Sequence, residues 1–325
     1  MGTHPVTAII VNFNAGALLA TALDGLGHQG VGHVVVVDNA SWDGSAETAA
    51  RPGIDLVRSS LNIGFARAVN LALARDDAPF VLLLNADVDL DDGYVERLVA
   101  ALSSDDSLAG VTGVLRLPSG AIDSTGIAMS SARWAWDRDR GMTGADVTAG
   151  EPFGVSGAAC LLRRSALDGL GADPLWSELF VYWEDVELAW RLRRAGWRFA
   201  TVAGATAAHA RGSDSAAPDF VEAASLGGRL ATVARHEGLP GLWRPGPLAI
   251  TLTIMVRLAL RHPRALLRAR PVAMVAAGLR ARRVDRARAW STLDPAVFTP
   301  HPWRRWFAAQ GGRARTLEAP RTELR

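Results

Sequence analysis

Five short runs, Val6–Val11, Val34–Val37, Ile54–Val57, Phe80–Leu84 and Leu108–Leu115, are apolar but for Thr7, Asp55 and Thr112, instead of alternating apolar with polar throughout. Strands read that way when a parallel sheet is covered on both faces, because neither face meets water. Helical patterns fall between them, at Ala17–Leu26, Ser45–Ala50, Ala66–Arg75 and Tyr94–Leu102. This βαβα order predicts an α/β fold, and in such folds ligands bind where the strands run out. Asn85-Ala86-Asp87-Val88-Asp89 follows the fourth run directly and puts carboxylates at that edge. A hard divalent cation takes oxygen ligands, commonly one or two carboxylates with substrate phosphates, so the stretch suits a metal-diphosphate complex. The same acids, with Asp91 and Asp92, also fit an acidic turn ahead of a helix N-terminus.

The second run ends in Asp38-Asn39-Ala40-Ser41-Trp42-Asp43-Gly44-Ser45. A carboxylate there can accept from a ribose hydroxyl or a base N–H, while Asp43 or Ser45 can cap the next helix. No Gly-x-Gly-x-x-Gly opens the first helix, which argues against a dinucleotide-dependent oxidoreductase. Ser130–Pro152, with Trp134, Trp136 and several glycines, reads as a long loop of the kind used as a lid. After it come the small-residue segment Gly154–Ala159, an acidic helix from Glu184 to Ala195 stopped by Gly196, and a strand at Trp197–Val202.

Charge divides the chain. Residues 1–228 carry 16 Arg against 28 acids, a balance of −12, whereas residues 229–325 carry 19 Arg against 5 acids, or +14. Such asymmetry points to an α/β domain over 1–228 and a basic helical region over 229–325 with a different partner. Anionic membrane lipid is the partner expected, because no nucleic-acid motif accompanies the charge. Leu248–Leu260 has 13 residues, including Arg257, whereas a spanning helix needs about 20 apolar ones, so it reads as buried or interfacial. Arg261–Arg288, with Leu266, Leu267, Val272, Val275 and Leu279, suits a membrane surface. A packed appendage with a solvated arginine face is the alternative. The single cysteine, Cys160, excludes an internal disulfide and is expected to be buried beside Ala158, Ala159 and Leu161. No arginine precedes Arg51, so the charged start of a signal peptide is missing; a cytoplasmic protein, peripheral at the inner face of the plasma membrane, is expected.

In order, the chain presents Val11-Asn12-Phe13-Asn14, Val37-Asp38-Asn39-Ala40-Ser41-Trp42-Asp43-Gly44-Ser45, Asn62-Ile63-Gly64-Phe65-Ala66-Arg67-Ala68-Val69-Asn70, Leu84-Asn85-Ala86-Asp87-Val88, Gly157-Ala158-Ala159, Trp183-Glu184-Asp185-Val186-Glu187-Leu188 and His209. This order resembles the inverting glycosyltransferases of family 2, which have the GT-A fold, and in particular their rhamnosyltransferase-like branch. The resemblance covers roughly residues 5–212, and the joint order is far more specific than any one motif.

The resemblance implies roles residue by residue. Asp38 falls on the acid that contacts the nucleotide, within a donor-binding set that also takes in Asn12 and Asn39. Asn85-Ala86-Asp87 falls on the metal-ligating Asp-x-Asp element, with asparagine in place of its first acid, so Asp87 is the implied ligand of Mg²⁺ or Mn²⁺. Asn62, Gly64, Phe65 and Asn70 are implied to line the donor cleft, where Gly64 allows close backbone approach. Asp185 falls on the general base; Leu188 and Leu192, three and seven residues on, share its helix face, which turns it toward the protein body. His209 falls on a late histidine that often adds a metal ligand, and imidazole would favour Mn²⁺ slightly. The implied donor is dTDP-rhamnose, with a UDP-hexose as alternative, and the implied acceptor is a hydroxyl of a glycan or lipid-linked glycan. A sugar-binding protein on a decayed transferase scaffold should have lost Asp87 or Asp185, and both are present. A sugar-phosphate nucleotidyltransferase would need a Gly-rich phosphate loop that Asn12-Phe13-Asn14-Ala15-Gly16 does not provide. Trp303-Arg304-Arg305-Trp306 shares an Arg-Trp pair with processive polysaccharide synthases, but their upstream glutamine and membrane spans are missing.

Overall fold

The computed structural model describes residues 4–143, 147–148, 150–211, 217–288 and 290–301. Its first part runs β1 (His4–Asn12), α1 (Leu18–Gly27), β2 (Val31–Asp38), α2 (Ser45–Thr48), β3 (Ile54–Arg58), α3 (Phe65–Leu73), β4 (Phe80–Asn85), β5 (Val88–Leu90), α4 (Tyr94–Ser104) and β6 (Leu108–Arg116). There follow β7 (Ile122–Ser124), β8 (Ile127–Met129), β9 (Ala135–Asp137), β10 (Ala159–Arg163), α5 (Arg164–Asp168), α6 (Glu184–Arg194) and β11 (Arg198–His209). Four α-helices, α7 (Pro218–Trp243), α8 (Pro245–Arg261), α9 (Pro263–Arg268) and α10 (Pro271–Asp285), and a 3-10 turn at Pro295–Val297 close the order.

The main sheet has the strand order β3-β2-β1-β4-β10-β6-β11-β5, with β7 added beside β6. Successive side chains of a strand point to opposite faces, so a strand covered on both sides feeds two cores. In β1, Val6, Ala8 and Ile10 join the core under α1 and α4, whereas Ile9 joins the core that α3, α5 and α6 cover. Leu82 and Leu84 of β4 divide from Val81 and Leu83 in the same way. The nearly unbroken apolar runs are therefore the signature of this two-sided burial. Cys160 is buried between these layers, as expected.

The sheet is mixed where the sequence read as parallel or as loop. β10 runs antiparallel between β4 and β6, and β5 runs antiparallel to β11. Neither was among the expected strands. The long loop also holds β9, which pairs with β8.

α7 passes through Gly228, where the charge balance changes sign. Leu226 and Leu230 of α7 pack with Ile250, Ile254 and Leu258 of α8, and Ala231 packs with Ala277 of α10. Arg229 is wholly buried in this region and donates to the carbonyls of Arg133, Ala132 and Pro247 and to Thr251 Oγ1. Burial pushes its guanidinium down to about 9. Among the described residues no helix is long and apolar enough to cross a membrane. Trp303-Arg304-Arg305-Trp306 lies outside the described residues.

Small residues set the spacing of α7 and α10. A Cβ on Gly278 would fall 2.2 Å from the Ala231 carbonyl oxygen and 2.9 Å from Ala234 Cβ. Gly278→Val is therefore expected to lower stability by about 1–3 kcal/mol through overpacking, read as an earlier denaturant midpoint at unchanged slope.

Candidate active site

A cleft of about 670 Å³ opens where β1 and β4 end. Asn39, Asn62, Gly64 and Phe65 line one part of it, and Asn85, Asp87, Asp185 and His209 line the rest. The fold thus brings together eight of the residues singled out in the sequence.

Four others stand outside the lining. Asn12 and Asp38 are buried one layer behind: Asn12 Nδ2 donates to Asp38 Oδ1 at 2.8 Å and to Ser45 Oγ at 2.8 Å. The backbone N–H of Ser41 donates to the other Asp38 oxygen at 3.2 Å. This knot ties the ends of β1 and β2 to the turn that carries Trp42, which lines the cleft edge-on to Phe13 at 5.4 Å. Asn70 is turned away from the cleft because the segment 173–177 uses its amide: Nδ2 donates to Asp173 at 2.7 Å and to the Leu175 carbonyl, and Oδ1 accepts from the Leu175 N–H. Asp89 is exposed on β5, beside Gly25 of α1.

Gly64 has φ +84°, and a Cβ there would lie 2.5 Å from the Phe180 carbonyl oxygen. Only glycine combines that conformation with so close an approach. The contact is fixed by the Phe65 N–H donating to the same carbonyl at 2.7 Å, which joins the start of α3 to the segment ahead of α6. Tyr182 and Trp183 then take left-handed conformations, φ +65° and +75°, and turn the chain into α6.

Glu184 and Asp185 open α6. Asp185 Oδ1 accepts from the Val186 N–H at 2.8 Å, and Oδ2 faces the Gly157 N–H at 3.4 Å. Burial pushes Asp185 up to about 6, against the Val186 hydrogen bond and aided by nearby Asp137. Burial and repulsion from Asp185 raise Glu184 further above the carboxylate range. Both carboxyls of this adjacent buried pair are thus pushed toward the neutral form.

Across the cleft, Asp87 lies in the turn between β4 and β5, and His209 ends β11. Asp87 Oδ1 and His209 Nε2 lie 3.4 Å apart, both side chains buried. Asp123 of β7 holds His209 Nδ1 at 2.8 Å, and Arg211 bridges Asp123 to Asp137. Burial opposes a charged imidazole, but the bonds to Asp123 and Asp87 outweigh it and raise His209. The donor set fits a divalent cation: one carboxylate oxygen and one imidazole nitrogen converge, and the ring is oriented by a carboxylate behind it. Among the described residues no group of three or more ligating side chains is present, which leaves the remaining positions to a diphosphate and water.

Asp123, Asp137 and Arg211 were not assigned in the sequence. Asp123 and Asp137 belong to short strands with no pattern of their own, and only the position of Arg211 two residues after His209 offered a signal.

The far side of α6 carries Glu187, fully buried. Its carboxylate accepts from Arg191 at 2.8 Å and meets Arg235 at 3.1 Å and His236 at 3.3 Å, both on α7. Arg235 also reaches Asp285 of α10 at 2.7 Å. Burial disfavours the Glu187 charge, yet Arg191, Arg235 and His236 hold it well below the usual carboxylate range. Glu187→Gln removes the counter-charge from two buried guanidiniums and is expected to cost about 3–5 kcal/mol of stability, measured by chemical denaturation.

The sequence profile of Glycosyl transferase family 2 matches residues 7–171. Over 268 residues the chain is 28% identical to N-acetylglucosaminyl-diphospho-decaprenol L-rhamnosyltransferase of Mycobacterium tuberculosis, covering 71% of this chain and 85% of that one. Its fold is similar to that of the mannosyltransferase PcManGT from Pyrobaculum calidifontis, solved with GDP-Man and Mn²⁺ (TM-score 0.54, 20% identity, 96% of this chain and 81% of that one). It is also similar to GalNAc-T7 with UDP, GalNAc and Mn²⁺ (TM-score 0.54, 14% identity, 71% and 47%).

Proposed function

The chain belongs to glycosyl transferase family 2, with a GT-A fold, and we propose that it moves rhamnose from dTDP-rhamnose, with inversion, to a hydroxyl of a lipid-linked glycan in cell-envelope polysaccharide synthesis. The observation that carries this reading is one cleft holding a buried, raised carboxylate on one side and a carboxylate-imidazole pair on the other. The likeness to the mycobacterial rhamnosyltransferase favours rhamnose and a lipid-linked acceptor over a UDP-hexose donor. A donor-hydrolysis screen across nucleotide sugars decides between them; turnover of UDP-hexoses alone would replace the donor assignment.

The nucleotide enters beside the Phe13–Trp42 edge, over the turn that the Asn12–Asp38 knot holds rigid. Asn62 and Gly64 line the cleft next to it, with Asn62 Oδ1 accepting from the Gly64 N–H at 2.9 Å. Asp87 and His209 would hold Mn²⁺ or Mg²⁺, which when bound supplies positive charge for the departing diphosphate. Asp185 accepts the acceptor proton as the acceptor oxygen attacks the anomeric carbon and the diphosphate leaves from the opposite face. Burial and the neighbouring Asp185 favour the neutral form of Glu184.

Asp185→Asn is nearly isosteric and cannot take the proton, so transfer should fall about 10²–10⁴-fold while nucleotide binding persists. Only ionised Asp185 can accept a proton; kcat/KM of the wild type should therefore fall as pH drops through about 6 and level off above it. Transfer by Asp185→Asn within a few-fold of wild type would reject the assignment.

Excess chelator should abolish transfer, and Mn²⁺ or Mg²⁺ should restore it. In calorimetry with dTDP, Asp87→Ala should weaken binding in the presence of metal and leave metal-free binding unchanged. Full activity in chelator would remove the metal from the reaction and leave the fold assignment standing.

A further inference from the structure

α8 is apolar on two faces. Pro247, Ile250, Ile254 and Leu258 are buried against the neighbouring helices. Ala249, Leu252, Val256, Ala259 and Leu260 lie on another arc at helical spacing, and all are exposed. Exposure rises along the chain, from 52% at Leu252 and 56% at Val256 to 80% at Leu260, 78% at Leu267 and 82% at Val272. A water-facing helix places polar residues on such an arc, so this face lacks its solvent-side chemistry.

The charge around it has one sign. Residues 245–284 hold eight Arg and no Asp or Glu. Arg257 is paired with Glu222 and Arg268 approaches Asp219 at 3.9 Å, whereas Arg261, Arg264 and Arg270 are exposed at the turns that carry Leu260, Leu267 and Val272. Exposed leucines between arginines match an interface in which apolar side chains enter the acyl boundary and guanidiniums meet anionic headgroups. α8 cannot span a bilayer, so the contact is lateral.

We propose that the outward arc of α8, with the α8–α9 and α9–α10 turns, docks the protein on an anionic lipid surface. The docking is independent of the catalytic cleft and is measured without turnover, so its failure would leave the proposed transfer reaction untouched.

The full-length chain is co-sedimented with vesicles of phosphatidylcholine alone and of phosphatidylcholine with phosphatidylglycerol. Binding is expected on the anionic vesicles, weakening as salt rises. Arg261→Gln/Arg264→Gln/Arg270→Gln should lower partitioning on the order of 100-fold. Leu252→Ser/Val256→Ser/Leu260→Ser should lower it at least about tenfold, with unchanged circular dichroism. Equal partitioning onto both vesicle types, none onto either, or variants that bind like wild type would overturn the proposal. So would sedimentation velocity showing a dimer that the leucine variant dissolves, since the arc would then face a second copy of the chain.

Discussion

One buried carboxylate holds the two differently charged parts of this protein together. Glu187 sits in α6 with no access to water, and its ionisation costs several kcal/mol of lost hydration that Arg191, Arg235 and His236 must offset. Because Arg235 and His236 belong to α7, and Arg235 passes the connection to Asp285 of α10, the network fixes three helices at once. Trp190 stacks on His236 at 4.6 Å, so the polar contact lies within packed aromatic surface. Asp185 lies on the same helix two residues earlier. The frame that orients the cleft carboxylate is therefore built partly from the basic helical region.

The other wall of the cleft rests on strand ends. Asn85, Asp38 and His209 end β4, β2 and β11, and a sheet fixes strand ends more rigidly than loops are fixed. Rigid placement matters for a reaction whose acceleration comes largely from positioning and preorganised charge. Asp123 adds a further constraint by selecting which nitrogen of His209 faces Asp87.

Where a residue's role followed from local pattern, the sequence revealed it. The apolar runs became strands within a few residues of their expected ends, and Leu188 and Leu192 are buried on α6 as the spacing required. Asp87, Asp185 and His209, far apart in the chain, were joined only through the resemblance; the sheet then placed them in one cleft. Pairing partners were not legible. Nothing local announced that β10 would run antiparallel, that Asp123 would sit behind His209, or that Asn70 would spend its amide on the segment 173–177. The same applies to Leu248–Leu260, whose composition suggested burial or an interface, whereas the structure buries one face and exposes the other.

The direction of β10 has a consequence for the segment before it. Because β10 is antiparallel to β4, its beginning lies at the cleft, and Gly157 enters there facing Asp185. The ends of the preceding segment meet in a clasp, in which the Ile127 N–H donates to the Gly154 carbonyl and the Phe153 N–H to that of Ile127, and the β8–β9 pair holds its middle. Residues added after β9 leave the β8–β9 register and the clasp before Gly157 intact. Their closure entropy grows only with the logarithm of loop length. Insertions between the fixed points of this segment can thus reshape the cleft rim, while Asp137 on β9 stays tied through Arg211 to Asp123.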